Sequence, residues 1–412
     1  MPFLPYFWLL FLRQQMNLFF RVYRKQAFSS LLIIGLAISF CPVAAQPCHL
    51  RISLITCGRG DDLYATFGHS AVRVVDSLNG GDYIFNYGTF DFDTPHFYWK
   101  FTRGKLMYSL SAQDFPSFLL GYREEKRSVT EQVLNLTCAE REAVWQFLQY
   151  NYLPQNRYYK YDFLFDNCST RIRDIFTRIF GPSLTVSDIV PERDLSFRAI
   201  INSYLQYKPW EKLGINLMFG MSTDMAMNSS QIMFLPEYLM KGMDSSRVNG
   251  KPLVEKKEVL YDPGVSPDQS YPFYLHPLFW LTLVAVFVVF VSFSRQRNMT
   301  RRLTPWIERS LFFLTGLLGC FLLFMWFGTD HRVCRWNFNL LWACPFNFIF
   351  SFYVQKNTLW VKRYAILVIV FNLILLLSWF VLPQQLPLEV IPVLIALVIC
   401  ARNILHRPRL GW

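Results

Sequence analysis

Charge is what this 412-residue sequence has least of. Asp, Glu, Lys and Arg make up 17% of it, against about 25% in an ordinary soluble chain. Acidic residues are scarcer than basic ones, 29 against 41, leaving a formal net charge of +12. No Cys-x-x-Cys pair occurs, nor any Cys/His spacing of the kind that holds zinc, so no metal or cofactor is expected. Internal repeats and low-complexity tracts are also missing. What is abundant is apolar: 53% of the residues are hydrophobic and 40 are Phe. That composition excludes intrinsic disorder and argues against a purely soluble protein.

The apolar residues concentrate in the last third as runs of near bilayer-spanning length, at about 274–294, 308–327, 337–354, 364–382 and 387–401. The third contains Cys344, Pro345 and Asn347; a proline there is tolerated where neighbouring helices re-satisfy the backbone. Basic residues follow alternate spans: Arg295, Arg297, Arg301 and Arg302; then Lys356, Lys362 and Arg363; then Arg402, His406, Arg407 and Arg409. Cytoplasmic loops collect Lys and Arg, so the amino-terminal two thirds are expected outside and the carboxyl terminus inside. Much of the positive charge is then topological, and nucleic-acid binding is not expected.

The start of the chain agrees. Arg21, Arg24 and Lys25 precede an apolar run over 28–40 and a small-residue site after Ala45, the pattern of a secretory signal. Met16 is a candidate true start. Cys41 follows Phe40 rather than a small residue, which argues against a lipid anchor. The expected division is a signal or hydrophobic segment at 1–45, an exported domain at 46–240, a linker at 241–271 and a membrane domain at 272–412. In an oxidising compartment a disulfide can form among Cys48, Cys57 and Cys138.

Within the exported domain, 50–56 reads as a strand, and 67–75 and 83–87 as a hairpin around Asn79-Gly80-Gly81-Asp82. A helix is expected over 137–152. A second follows Asp166-Asn167-Cys168, with Ile172, Ile175, Phe176, Ile179 and Phe180 on one face and Gly181-Pro182 ending it. Asp166 or Asn167 can cap its start. Cys168 therefore sits where the helix dipole favours thiolate. A thiolate nucleophile needs a base in reach, usually His. Of His49, His69 and His96, His69 stands out, between Gly68 and Ser70 at the start of a strand. The plainer reading makes Cys168 a buried small hydrophobe and His69 an ordinary strand residue.

Several other residues invite two readings. Arg103 and Lys105 could bind a lipid phosphate or be a solvated pair, and Tyr87 is a further candidate for contacting substrate. Phe90, Phe92, Phe97, Tyr98, Trp99 and Phe101 could meet the membrane interface or fill a core; Tyr158, Tyr159 and Tyr161 share that ambiguity. Arg171 and Arg173 read as structural, and Asp61-Asp62 as a solvated turn.

The segments Phe67-Gly68-His69-Ser70-Ala71-Val72-Arg73-Val74 and Asp166-Asn167-Cys168-Ser169-Thr170-Arg171 resemble the two halves of a circularly permuted papain-like thiol domain, the group that includes NlpC-type cell-wall amidases and the lecithin:retinol acyltransferases. That resemblance implies His69 as base and Cys168 as nucleophile. It puts the orienting third residue on the next strand, where Asn86 is the candidate. The run Thr56-Cys57-Gly58-Arg59-Gly60-Asp61-Asp62, then Asn86-Tyr87-Gly88-Thr89-Phe90, Phe101-Thr102-Arg103-Gly104-Lys105 and the Cys168 segment, all ahead of a membrane domain, is similar to the Lnb family of Bacteroides-type bacteria. The family is implicated in N-acylation of lipoproteins at the inner membrane.

The expectation is an α+β fold: a permuted papain-like domain of antiparallel sheet and helices, followed by an all-α membrane bundle of about five spans. The resemblance implies a Cys/His N-acyltransferase with phospholipid as acyl donor, a lipoprotein amino terminus as acceptor and the bilayer as surroundings. Two other readings stay open: a thiol peptidase, amidase or phospholipase of the cell envelope, and a membrane-anchored assembly protein without chemistry.

Overall fold

β-Branched residues at alternating positions build the sheet. The computed structural model describes residues 16, 48–264, 271–294 and 298–407. The expected leader at 1–45 and the basic residues Arg295, Arg297 and Arg409 lie outside the described residues. The strands are β1 (Leu50–Cys57), β2 (His69–Asp76), β3 (Gly81–Thr89), β4 (Met107–Asp114), β5 (Val129–Leu134), β6 (Tyr158–Lys160), β7 (Leu184–Val186), β8 (Ser246–Val248), β9 (Lys251–Pro252) and β10 (Val254–Tyr261). Seven form one sheet in the order β10-β5-β1-β2-β3-β4-β6, and β7, β8 and β9 form a small second one. Every pairing is antiparallel. Central β1 is buried at all but one position. The β2–β3 turn is fixed by the Asp76 carboxylate, which accepts from the Leu78 N–H and the Asn79 amide.

Eight helices accompany these strands: α1 (Phe97–Thr102), α2 (Phe115–Glu124), α3 (Cys138–Tyr152), α4 (Cys168–Phe180), α5 (Phe197–Tyr204), α6 (Pro209–Met218), α7 (Ser229–Ile232) and α8 (Pro236–Ser245). The α4 stripe of Ile172, Ile175, Phe176 and Phe180 packs with Val72, Val74 and Phe85 of the sheet and Val144 and Leu148 of α3 in one core. Cys48 and Cys138 are both disulfide-bonded, and Cys57 is a free, buried thiol.

The expected linker at 241–271 is corrected by the structure. Its first two thirds hold the end of α8 and strands β8, β9 and β10, and β10 pairs with β5 to close one edge of the large sheet. Its residues are mostly exposed, and Lys256, Lys257 and Glu258 give it the charged composition that protects an edge strand. That composition imitates a linker.

The membrane part consists of α9 (Pro277–Phe293), α10 (Asn298–Phe327), α11 (Phe346–Tyr353), α12 (Leu359–Leu377) and α13 (Val390–Leu405). By length and apolarity alone, Arg302–Phe327 and Leu359–Leu377 can each cross a membrane; Pro277–Phe293 and Val390–Leu405 are shorter apolar helices. The third expected span is not one helix. A single turn at Phe338–Leu341 leads through Cys344-Pro345 into eight-residue α11, only about 12 Å long. Its two ends nevertheless lie far apart. Asn337 donates to the carbonyls of Leu217 and Met218 in the exported domain. Val354 accepts from Arg407, and Gln355 donates to the Pro305 carbonyl. Broken backbone of this kind is tolerated where it is buried in protein. Here Asn347 donates to Thr315 on α10 and accepts from Tyr364 on α12.

The exported domain is seated on the outer end of α10 and the loop after it. Gly220 donates its N–H to Val333, and Met221 to Trp336. Trp99 of α1 stacks on Phe324 with ring centroids 6.0 Å apart. Of the ambiguous aromatics, Phe97 is buried while Tyr98 is 77% exposed.

Candidate active site

Two chain reversals bring the site together. Gly68 has φ +80, and a Cβ there would lie 2.6 Å from the Cys57 carbonyl. Only glycine turns the chain into β2 at this point, so His69 begins the strand. On the other side, the Asn167 side chain starts α4. Its oxygen accepts from the N–H groups of Ser169 and Thr170, both at 2.9 Å. Its nitrogen donates to the carbonyls of Phe163 and Phe234, at 2.7 and 2.9 Å. Asn167 is thus the cap, with its hydrogen-bonding capacity filled. Asp166 instead grips Arg171 with both oxygens, at 2.6 and 2.8 Å.

The residues after the two candidates hold strand to helix: Ser70 Oγ and Ser169 Oγ are 3.1 Å apart. His69 and Cys168 consequently come close enough for each to act on the other's ionisation. His69 Nε2 lies 3.2 Å from Asn86 Oδ1. Asn86 stands on β3 beside β2, and it is 7% exposed.

Burial alone would push the Cys168 thiol up. The charge and hydrogen bond of His69, the Ser70 N–H and the Ser169 hydroxyl outweigh it, and the thiol is held below its usual value of 9.0. Burial likewise works against a charged His69, but the Cys168 charge, the hydrogen bond to it and Asn86 raise the imidazole above 6.5. Each group therefore favours the charged form of the other. Two neighbouring free thiols behave in the opposite way. Burial takes Cys57 and Cys334 up to about 12.

Cys168 and His69 line a cavity of about 660 Å³ whose wall is largely apolar, a size typical of small-molecule sites. Gly88 borders it: a Cβ there would lie 3.9 Å from Cys168 Cβ. Phe321 and Met325 of α10 also line the cavity, as do His331, Val333 and Cys334 of the following loop. These five were not candidates in the sequence. Nothing local marks them, because they are brought in by the seating of one domain on the other. His331 is tied there by a 3.1 Å hydrogen bond to the Phe101 carbonyl.

The remaining candidates fall elsewhere. Tyr87 is buried on the cavity wall, its ring edge-on to Tyr159. Arg103 is used in the junction, donating to the Gly328 carbonyl at 3.4 Å with its guanidinium 5.6 Å from the Trp99 ring. Lys105 is exposed and adds to the positive charge around Asp330. His96 is exposed. His49 adjoins the Leu50 end of β1, whereas His69 pairs with Cys57 at the other. Among the described residues no group of three or more His, Cys, Asp and Glu is placed to hold a metal ion.

The structure thus joins a Cys/His/Asn cluster, at the meeting of a strand and a helix start, to an α+β domain seated on apolar helices, the architecture of a membrane protein with a folded domain outside the bilayer. Residues 43–203 match the family model of the Lnb N-terminal periplasmic domain, and residues 268–408 that of the Lnb transmembrane domain. The chain belongs to the Lnb family: it is a membrane lipoprotein-processing protein with a periplasmic domain. No curated protein and no solved structure matches it.

Proposed function

We propose that the protein is a lipoprotein N-acyltransferase of the bacterial inner membrane, moving an acyl chain from phospholipid through a Cys168 thioester to the α-amine of a diacylglyceryl-cysteine lipoprotein. One observation carries this reading: the Cys168–His69–Asn86 cluster opens into an apolar cavity that includes residues of a membrane-spanning helix. An acyl chain can lie in that cavity without entering water.

In the first half-reaction the Cys168 thiolate attacks the ester carbonyl carbon. The oxyanion meets the N–H of Cys168 itself, the first-turn donor that Asn167 does not take. The carbon–oxygen bond to glycerol breaks, and the His69 imidazolium gives its proton to the departing oxygen. Lysophospholipid leaves and a thioester remains. In the second half-reaction the uncharged α-amine attacks the thioester, the carbon–sulfur bond breaks, and His69 takes the amine proton. The thiolate–imidazolium pair is restored. Covalent catalysis of this kind divides one hard transfer into two easier ones, and Asn86 holds the imidazole in register throughout.

Alternating loop charge puts Lys356, Lys362, Arg363 and Arg407 in the cytoplasm. The broken 337–354 segment then counts as a crossing, since its ends meet the periplasmic domain and Arg407. Five crossings and a cytoplasmic carboxyl terminus follow. The test is replacement of Cys168 by Ser, with mass spectrometry of a mature lipoprotein. The expected product lacks the amide-linked chain; undiminished triacyl product overturns the reading. Release of the chain as free fatty acid, with none on the acceptor, would instead make the site a phospholipase.

A further inference from the structure

The helix that begins with Cys168 also forms one wall of a second cavity, about 590 Å³ and lined by both charged and aromatic residues. Arg171, Asp174 and Arg178 recur along that wall at i, i+3 and i+7, which puts them on neighbouring turns of one face. At 1.5 Å per residue, Arg178 lies about 15 Å along the axis from Cys168. The facing wall includes Lys160 and Asp162, and from the loop after α10 it includes Asp330 and Arg332. Tyr87, Gly104 and Tyr161 border this cavity and the apolar one alike. The cleft therefore adjoins the cavity of the reacting sulfur across these three residues, takes in the junction loop through Asp330 and Arg332, and leads away along the helix.

Its charges balance, four cations against four anions. Most are already engaged. Asp166 holds Arg171, and Asp330 holds Lys160 at 2.8 Å. Asp174 is taken by Arg173, and one Asp162 oxygen accepts from the N–H groups of Leu164 and Phe165. Among the described residues Arg178 and Arg332 pair with no carboxylate. Both are exposed, and their guanidinium groups lie 5.7 and 6.0 Å from the rings of Phe147 and Phe165.

Taking the acyl-transfer reading as given, we propose that this cleft binds the polypeptide of the acceptor, holding its first four or five residues in extended form, with acidic side chains toward Arg178 and Arg332. The length fits: an extended chain rises about 3.3 Å per residue, so about 15 Å accommodates four or five. A lone lipid phosphate would call for concentrated positive charge beside the sulfur. Here the two uncommitted cations include one two to three helical turns away. The cleft also takes in Asp330 and Arg332, from the loop on which the periplasmic domain is seated.

The test uses the full-length protein in lipid nanodiscs with Arg178→Glu and Arg332→Glu, singly and together. Two acceptors are compared: a diacylglyceryl-cysteine amide, and the same lipid carrying a ten-residue acidic peptide. The double variant is expected to slow transfer to the peptide-bearing acceptor about tenfold, through KM, because exposed charges act mainly on encounter and orientation. Thioester formation and transfer to the short acceptor should stay within about twofold of the unsubstituted protein. A peptide with Lys in place of its acidic residues should regain the lost rate. Slower thioester formation would assign the cleft to the donor, and an equal response of both acceptors would remove it from recognition; either result overturns the proposal. An unsubstituted protein that forms no thioester removes the acyl-transfer reading first, and this proposal with it.

Discussion

Arg198 in the periplasmic domain and Asn347 in the membrane bundle are each 1% exposed, and they are accommodated by different means. Arg198 is neutralised by Asp224 at 2.8 and 3.0 Å and donates to the carbonyls of Asn216, Phe219 and Gly220. It thereby fixes the turn that meets the junction loop. Asn347 carries no charge, and its partners are neutral too: it donates to the Thr315 hydroxyl and the Trp342 carbonyl and accepts from the Tyr364 hydroxyl. Among the described residues of the bundle, the buried, paired charge is Glu308, which meets Arg407 near the end of the last helix. In water a charge pair can form a rigid joint if every group is satisfied. In hydrocarbon, neutral amides are the less costly way to hold irregular backbone.

Backbone approach differs as well. A Cβ at Gly316 would lie 1.9 Å from the Phe348 nitrogen, and one at Gly319 the same distance from the Ala343 carbonyl. Helix α10 is thus packed directly on the broken span, as small residues allow between membrane helices. The periplasmic domain instead relies on large side chains, Phe176, Leu110 and Ile52 among them.

The largest effect should come from separating chemistry from scaffold. Cys168→Ala should lower acyl transfer by about 10³-fold or more while thermal unfolding of the protein stays as it was. Gly316→Leu should do the reverse: a protein that fails to fold in detergent, since the neighbouring backbone cannot yield. A folded Gly316→Leu protein would contradict the close approach. Next comes the cap. Asn167→Ala loses two accepted hydrogen bonds and leaves the carbonyls of Phe163 and Phe234 unpaired, so it should cost about 3 kcal/mol in denaturant unfolding. A loss under about 1 kcal/mol would mean that α4 starts without it.

Asn86 should matter less, and in a way that pH reveals. The thioester-forming rate should fall on the acid side as the thiolate takes a proton, and on the alkaline side as the imidazolium loses one, the two limbs belonging to the coupled pair. Asn86 raises the His69 value, so Asn86→Ala should move the alkaline limb to lower pH, with a rate loss of about 10- to 100-fold. An unmoved alkaline limb would reduce Asn86 to a packing residue. Smallest of all is the surface pair at the junction. Lys160 and Asp330 are 63% and 41% exposed, and Lys160→Ala should leave the melting temperature unchanged.

The two regions also differed in how openly the sequence announced them. Strands β1 to β3 were legible from their apolar, β-branched runs and the Asn-Gly turn. Helix α4 was legible from the spacing of Ile172, Ile175 and Phe176. The meeting of His69 with Cys168 needed both segments read against a known pattern, because 99 residues separate them. Strand β10 was misread, since an exposed edge needs charge more than apolar alternation. The third span was located by its hydropathy but not by its shape, because Pro345 interrupts a helix whose ends hydropathy cannot see. The cavity was illegible altogether. Phe321 and Met325 are unremarkable in an apolar helix, and only tertiary seating aligns them with the sulfur.

The most direct measurement is the intact mass of the purified protein after exposure to phospholipid labelled in its acyl chain, with no acceptor present. One acyl group should appear on Cys168, labile to neutral hydroxylamine, with one lysophospholipid released for each. Cys57 and Cys334, held as thiols by burial, should carry none. An acceptor that is acylated by protein whose Cys168 never carries the label would contradict the mechanism.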